Sequence, residues 1–345
     1  MSPIIPKRLL GRTGLEVSTI GLGAAVIGDL YENVNEASAI DTVLEALSGG
    51  INYIDTSPLY GHGLSEHRLG TALRHRPDTN VILSTKVGRV TDPFSAPDPN
   101  SGYFGGAPHA VNFDYSYDGT FRSLEQSLLR LGRDKVDLVL IHDLEPEVHG
   151  DAYGIRFKEA IEGTVPALTQ LRESGVIRGF GIGVNNADAA EQFAKETDLD
   201  AILIAGRYSL LEQPAISSLL PLSVERNIGV ILGGVFNSGI LATGAVPGAR
   251  YNYADAPDPV LQKVAKLEAV CQRHGVELRH AALNFVFGHP AVSTVVLGAS
   301  SHEEVRTQLD DFQHPVPTDL WEELKAEGLL AAEVPTPGAR EETGK

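Results

Sequence analysis

Apolar and largely β-branched residues gather in eight short runs along the chain, at 17–23, 51–55, 81–86, 136–142, 177–184, 201–205, 229–233 and 292–298. Between them lie longer stretches in which apolar positions recur every three to four residues. Among these are 36–50, 119–134, 163–175, 189–198, 217–227 and 260–275, several closed by glycine as helix ends often are. Runs that are apolar on both faces suit strands covered on both sides, and their alternation with amphipathic stretches predicts parallel βαβ units. Eight such units over about 300 residues fit a closed (β/α)8 TIM barrel better than an open sheet.

Three segments fall outside that rhythm. The stretch "LLGRTGLEVS", residues 9–18, has a polar turn between short apolar runs and predicts an N-terminal β-hairpin closing the bottom of the barrel. Residues 88–118 are rich in proline, glycine and aromatic side chains and form a long loop after the third strand, of the kind that binds a ligand or acts as a lid. The end, "VPTPGAREETGK", has no apolar periodicity and predicts a flexible tail. With no internal repeat and no linker-like stretch, the expected organisation is one barrel over residues 1–333 and a tail over 334–345.

Polar chemistry gathers at the strand ends. In a barrel of this kind the loops that follow the strands converge, so residues at the C-terminal strand ends share one mouth. The second strand ends in Asp55, the third in Lys86, the fourth in His142, and the fifth in Asn185 and Asn186, with Tyr60 five residues beyond Asp55. Taken singly, each has a plainer explanation: a turn cap for Asp55, a solvated strand end for Lys86, a hydrogen-bonded core histidine for His142, a packing role for Tyr60. Four separate accidents, however, need not fall at the same end of successive strands. The set also fits together chemically. A phenol titrates at about pH 10 and is a poor acid or base at neutral pH. A neighbouring ammonium favours its phenolate, and a carboxylate beside the ammonium keeps the lysine charged and in place. Tyr60 is then a proton shuttle, and His142 can hydrogen-bond the reacting oxygen.

Charge and composition narrow the partners. Lys plus Arg number 28 and Asp plus Glu 45, a formal charge of −17, with no basic cluster. Such a surface repels phosphate backbones and anionic headgroups, so neither nucleic acid nor a membrane is an expected partner, and nothing in the pattern speaks to oligomeric state. Cys271 is the only cysteine, which excludes internal disulfides and suits a reducing compartment. The N-terminus lacks the apolar run of a signal peptide, and the expected location is the cytoplasm. Two decoys are set aside. "GLGAAVIG", residues 21–28, follows a strand but has Val26 where a dinucleotide fingerprint needs its third glycine. His62, His67, His109 and His149 lack metal-ligand spacing, so no metal site is expected.

Several spaced motifs, over roughly residues 7–312, resemble the aldo-keto reductase family, whose members build a (β/α)8 barrel and bind a nicotinamide cofactor without a Rossmann domain. These are "LGRTGLEVSTIGLGAA", "GGINYIDTSPLYGHGLSEHRLG", "STKVG", "LVLIHDLEP", "GVIRGFGIGVNN" and "VVLGASSHEEVRTQL". The resemblance puts the family's catalytic tetrad on Asp55, Tyr60, Lys86 and His142, the set already picked from the strand ends. It implies that Asn186 holds the nicotinamide carboxamide, with Asn185 standing where serine is common and Ala205 where glutamine is frequent. "GGVFNSGIL", residues 233–241, replaces a tyrosine-containing segment, which makes Phe236 the candidate for stacking on the nicotinamide. Further implied cofactor contacts are Ala24, Tyr208, Gly234, Ser238 and Leu241, followed by Gly298, Ser300, Glu304 and Gln308 of the phosphate loop. A 2′-phosphate needs a cation, but Gly298 and Glu304 stand where NADP-binding members tend to carry Lys and Arg, so NAD is expected over NADP. Arg306 is the remaining cation that could reverse that preference.

"ILIAGRYSLLEQP" and "FDYSYDGTFRSLEQSL" look like the branch of D-threo-aldose (L-fucose) and L-galactose dehydrogenases, with pyridoxal 4-dehydrogenase a close relative. The implied reaction is NAD-dependent oxidation of the C1 hydroxyl of an aldose such as L-fucose, L-galactose or D-arabinose to the lactone, with Tyr60 as general base. Tyr103, Phe104 and Phe113 of the long loop, together with Tyr115 and Asp114, offer ring faces and a carboxylate to a sugar or a pyridine. The competing expectations are a pyridoxal 4-dehydrogenase giving 4-pyridoxolactone, an NADPH-dependent aldehyde reductase, a non-catalytic cofactor-binding subunit, and a Schiff-base aldolase using Lys86.

Overall fold

The computed structural model describes residues 5–77, 79–252 and 254–338. Eight strands close into a barrel: β1 (Ile20–Gly23), β2 (Tyr53–Asp55), β3 (Ile82–Val87), β4 (Leu138–His142), β5 (Gly179–Val184), β6 (Ala201–Ala205), β7 (Gly229–Gly233) and β8 (Val292–Leu297). Each pairs in parallel with the next, and β8 returns to β1 with Val295 beside Ile20. All eight apolar runs therefore enter the barrel. The first run is divided, because Val17 and Ser18 leave it and, with Glu16, pair antiparallel with Lys7–Leu9 in the N-terminal hairpin.

That hairpin closes the bottom. Leu10, Leu15 and Val17 pack with Tyr53, Ile82, Leu138, Leu140, Ala201, Leu203 and Ile231 in one apolar cluster at the lower barrel interior. Because side chains alternate along a strand, the residues two places above this layer face the same way. They are Asp55 above Tyr53 and His142 above Leu140; Lys86 lies four places above Ile82, with Ser84 between them on the same face. The interior thus changes from apolar to polar going up the strands. Gly183 of β5 makes room for the change, since a Cβ there would already touch the Lys86 stem at 3.4 Å.

Helices fill the outside. Asn35 caps Glu36–Ser48, Ser116 caps Tyr117–Leu131, and Asn186 caps Ala187–Glu196, each with a side-chain oxygen accepting from the first turn. Leu278–Phe285 is buried at all positions but Arg279, and Thr318–Ala326 buries only Leu320, Trp321 and Leu324. Among the described residues no helix is long and apolar enough to cross a membrane.

The loop after β3 has structure of its own. Arg89–Asp92 and Ala110–Phe113 pair as an antiparallel ribbon, and the segment between them folds back over the barrel mouth. There Tyr103 bridges to Leu30, and Phe104 donates its backbone N–H to the Asp29 carbonyl at 3.0 Å. The expected tail begins too early. Val334 is buried, and a Cβ on Gly288 would meet the Thr336 backbone at 2.6 Å, so residues 334–336 pack on the barrel. Residues 339–345 lie outside the described residues.

Candidate active site

Asp55, Lys86 and Tyr60 meet at the upper end of β2 and β3. Lys86 is buried, and its Nζ donates three hydrogen bonds: to Asp55 Oδ2 at 2.6 Å, to the Thr56 carbonyl at 2.9 Å and to Tyr60 Oη at 3.0 Å. An ammonium has three donors, so this one is fully committed and its place is fixed. The other carboxylate oxygen of Asp55 accepts from Ser84 Oγ at 2.7 Å, and Ser84 is itself 2.8 Å from Tyr53 Oη. Removing either member of such a buried pair strands the other, at a cost of about 3–5 kcal/mol. Tyr60 reaches the group through the "TSPLYG" turn. Leu59 donates its N–H to Ser57 Oγ, Tyr60 to the Ser57 carbonyl, and Gly61 takes φ 58°, a left-handed conformation that a side chain would strain.

His142 enters from β4, its ring edge-on to Tyr60 at a centroid distance of 5.9 Å. Its Nδ1 lies 3.1 Å from Ser57 Oγ and its Nε2 3.4 Å from Asp143 Oδ1. Burial, with Lys86 and Arg89 nearby, pushes the imidazole down to about pKa 3 against the pull of Asp143, so it is neutral at physiological pH. Burial opposes the charge on Asp143, but the adjacent His142 with Arg89 and Lys86 outweighs it and keeps this carboxyl below its usual range. Arg89 holds Asp143 Oδ2 at 2.6 Å and lies over the Phe113 ring at 3.9 Å. Glu145, also buried, accepts the Asn185 backbone N–H at 2.6 Å.

These groups open onto a two-lobed cavity. One lobe, ≈ 580 Å³, lies between Tyr60, Lys86, His142, Asp143, Asn185 and the ribbon segment 101–104. The other, ≈ 380 Å³, runs over the ends of β7, β8 and β1, past Gly234, Phe236, Ser238 and Gly298. Both have volumes usual for ligand sites, and they share Ala25, Leu30, Tyr31, Tyr60, Leu203 and Ala205. Tyr60 therefore stands where the lobes meet.

The structure does not bring every expected residue to this cavity. Phe113 instead packs on Tyr115, His149 and Arg89 beneath the ribbon, and Tyr115 is buried, donating to the His142 carbonyl at 2.6 Å. Asp114 is occupied in a turn with Ser116. Ala24, Tyr208 and Leu241 are buried in the core, Tyr208 stacked on Phe285. Asn186 caps its helix and donates to Glu147 at 2.7 Å, so among the described residues it is Asn185 that lines the cavity. Tyr103 and Phe104 do line it.

The sequence model of the aldo/keto reductase family matches residues 19–327. The chain belongs to this family. A pyridoxal 4-dehydrogenase from Microbacterium luteolum is 41% identical to it, over 94% of this chain and 98% of that protein. A D-threo-aldose 1-dehydrogenase from a Pseudomonas species is 36% identical, over 94% and 97%. A solved aldo-keto reductase from Bacillus halodurans, in its holo form, has a TM-score of 0.74 at 27% identity, over 96% of this chain and 98% of that one. The chain is thus an oxidoreductase with dehydrogenase-named relatives.

Aldo/keto reductases bind nicotinamide dinucleotides, and the second lobe suits one. It offers the partly buried Phe236 ring, the glycine backbones at 234 and 298 and the Ser238 hydroxyl, and it opens onto Tyr60. The loop beyond Gly298 is tied down by its own side chains. Ser301 caps the helix His302–Gln313, the Glu304 carboxylate accepts the Ser300 N–H at 2.8 Å, and Gln308 donates to the Gly298 carbonyl at 2.7 Å. Among the described residues none of Ser300, Glu304 or Gln308 lines either lobe. Arg306 is turned away, bidentate to Glu45 at 2.8 and 3.0 Å.

Asp143, Arg89, Glu145 and Ser57 were missed in the sequence. Strand parity sends the residue after His142 to the outside, but Asp143 has φ 53°, and this left-handed turn brings it back to the cavity. The adjoining "HDLEP" was the only available hint.

Proposed function

We propose that this chain oxidises the C1 hydroxyl of a cyclic aldose such as L-fucose, L-galactose or D-arabinose to the lactone, using NAD. The observation that carries the proposal is the buried Lys86 ammonium, whose third N–H ends on Tyr60 Oη at 3.0 Å. That contact favours the phenolate, so Tyr60 acts as general base and takes the hydroxyl proton as the C1 carbonyl forms. Asp55 keeps Lys86 charged and in place. His142, neutral, presents a donor to the reacting oxygen: Ser57 can give its proton to Nδ1, which leaves the imidazole proton on Nε2, facing the cavity. A bound nicotinamide dinucleotide supplies the hydride acceptor. Tyr103 and Phe104 give the first lobe ring faces against which a sugar's C–H face can rest.

NAD is favoured over NADP because Glu304 stands at the phosphate loop and Arg306 is paired with Glu45. The intact four-residue set speaks against a non-catalytic subunit, and the three committed donors of Lys86 against a Schiff-base nucleophile. A single barrel unit in the cytoplasm, as composition suggests, completes the proposal.

A second reading, oxidation of the pyridoxal hemiacetal to 4-pyridoxolactone, is supported by the relative of that activity at 41% identity. Initial rates with NAD and with NADP against L-fucose, L-galactose, D-arabinose and pyridoxal separate the two. An aldose turned over faster with NAD is the expected result. Turnover of pyridoxal alone would replace the aldose assignment, and faster turnover with NADP would overturn the cofactor preference.

A further inference from the structure

Asp143 has no part in the chemistry described so far, yet it stands beside it. The carboxylate lines the lobe that holds Tyr60 and His142. Its backbone adopts φ 53°, a conformation costly for any residue except glycine and tolerated best by Asn and Asp, and that turn is what aims it inward. Arg89 takes Oδ2 at 2.6 Å, fixing the group and keeping it ionised, while Oδ1 faces His142 Nε2 at 3.4 Å. That distance is too long for a good hydrogen bond. The site thus sets a donor and an anionic acceptor side by side on one wall.

From this we infer that Asp143 is a specificity-determining residue that accepts a hydrogen bond from the hydroxyl next to the reacting one, an inference that rests on the aldose reading of the same site. The His142 Nε2–H and the Asp143 carboxylate address two neighbouring oxygens. Vicinal hydroxyls on a sugar ring are separated by about one hydrogen-bond length. The first oxygen receives a hydrogen bond and loses its proton to Tyr60; the second donates its proton to Asp143 and keeps it. The substrate class selected is a cyclic hemiacetal with a free hydroxyl at C2. Pyridoxal is disfavoured, because its ring hydroxyl beside the hemiacetal is ionised at neutral pH and would meet a carboxylate.

The test compares kcat/KM for the best aldose among L-fucose, L-galactose and D-arabinose with that for its 2-deoxy counterpart. It is run in the wild type, in Asp143→Gly, which suits the left-handed backbone, and in Asp143→Asn, which keeps the shape should the glycine variant fail to fold. The wild type should prefer the parent sugar by about 10- to 100-fold, the range expected for a hydrogen bond to a charged group, and both variants should lose most of that preference. If Asp143 merely positions His142 or neutralises Arg89, the variants slow both sugars equally and the preference survives, which overturns the inference while leaving the aldose assignment standing. A wild type indifferent to the C2 hydroxyl overturns it too. Failure to turn over any aldose sinks the aldose assignment and this inference together.

Discussion

At the bottom of the barrel, Asp200 is a buried carboxylate held by two arginines, Arg12 at 2.9 Å and Arg172 at 2.8 Å, and by the Phe180 backbone N–H at 3.0 Å. At the top, Asp55 is a buried carboxylate held by Lys86 at 2.6 Å and by Ser84 at 2.7 Å. The ionic chemistry is similar and the surroundings are not. Below, the hairpin residues Leu10 and Leu15 seal the barrel interior, and Asp200 joins that hairpin to β5 and β6. Above, the third Lys86 donor ends on a phenol at the junction of two cavity lobes. The same kind of ion pair is enclosed at one end and at the other passes a hydrogen bond to a group lining a cavity, where we propose that it serves chemistry.

The sharpest way to break that contrast is at Lys86. Lys86→Met should lower kcat by about 10²–10⁴-fold, the usual contribution of general acid–base catalysis. It should also cost about 3–5 kcal/mol of stability by stranding Asp55. Steady-state rates with thermal melts measure both, and near-normal turnover would mean that the upper pair is structural like the lower one. Leu10→Ala is the counterpart below. It should cost about 2–5 kcal/mol through the cavity it leaves, with kcat/KM within about twofold of wild type at a temperature where the variant is folded. A large loss of kcat/KM without loss of stability would show that the two ends are not separable.

A smaller effect is expected at Glu145, near the top. Burial, aided by Asp143 and Glu147, pushes its carboxyl up to about 7 from an ordinary 4.5, against the N–H groups of Asn185 and Asn186. A raised folded-state value means that the native protein holds this proton more tightly than the unfolded chain does. The contribution to stability is therefore full below pH 4.5 and is lost as pH rises through 7. Denaturant unfolding between pH 5 and 7.5 should show stability falling with pH, and falling less steeply in Glu145→Gln. Identical slopes would place the Glu145 titration elsewhere.

Much of this was legible in the sequence. The eight apolar runs announced the barrel, and the polar residues at the ends of successive strands pointed to Asp55, Lys86 and His142, because the C-terminal strand ends of a barrel share one mouth. Tyr60 was legible from its distance beyond Asp55, though its reach depends on the left-handed Gly61. Where parity fails, the reading failed as well: a positive φ at Asp143 turned an outside position into a cavity position. Phe113 and Tyr208 were misjudged because aromatic residues outside the barrel strands look alike in sequence, whether they face a ligand or pack on Tyr115 and Phe285. That the Asn186 side chain caps the following helix was not legible, since either amide can cap a helix and only the backbone path decides which one does.

The central claim is that Tyr60 moves the proton while Lys86 and Asp55 set its reactivity. The direct measurement is kcat for Tyr60→Phe from pH 6 to 10 with the best aldose and NAD, alongside cofactor affinity by fluorescence titration. The account predicts a fall in kcat of about 10²–10⁴-fold with cofactor affinity and thermal stability close to wild type. Wild-type kcat across that pH range in the phenylalanine variant would contradict it.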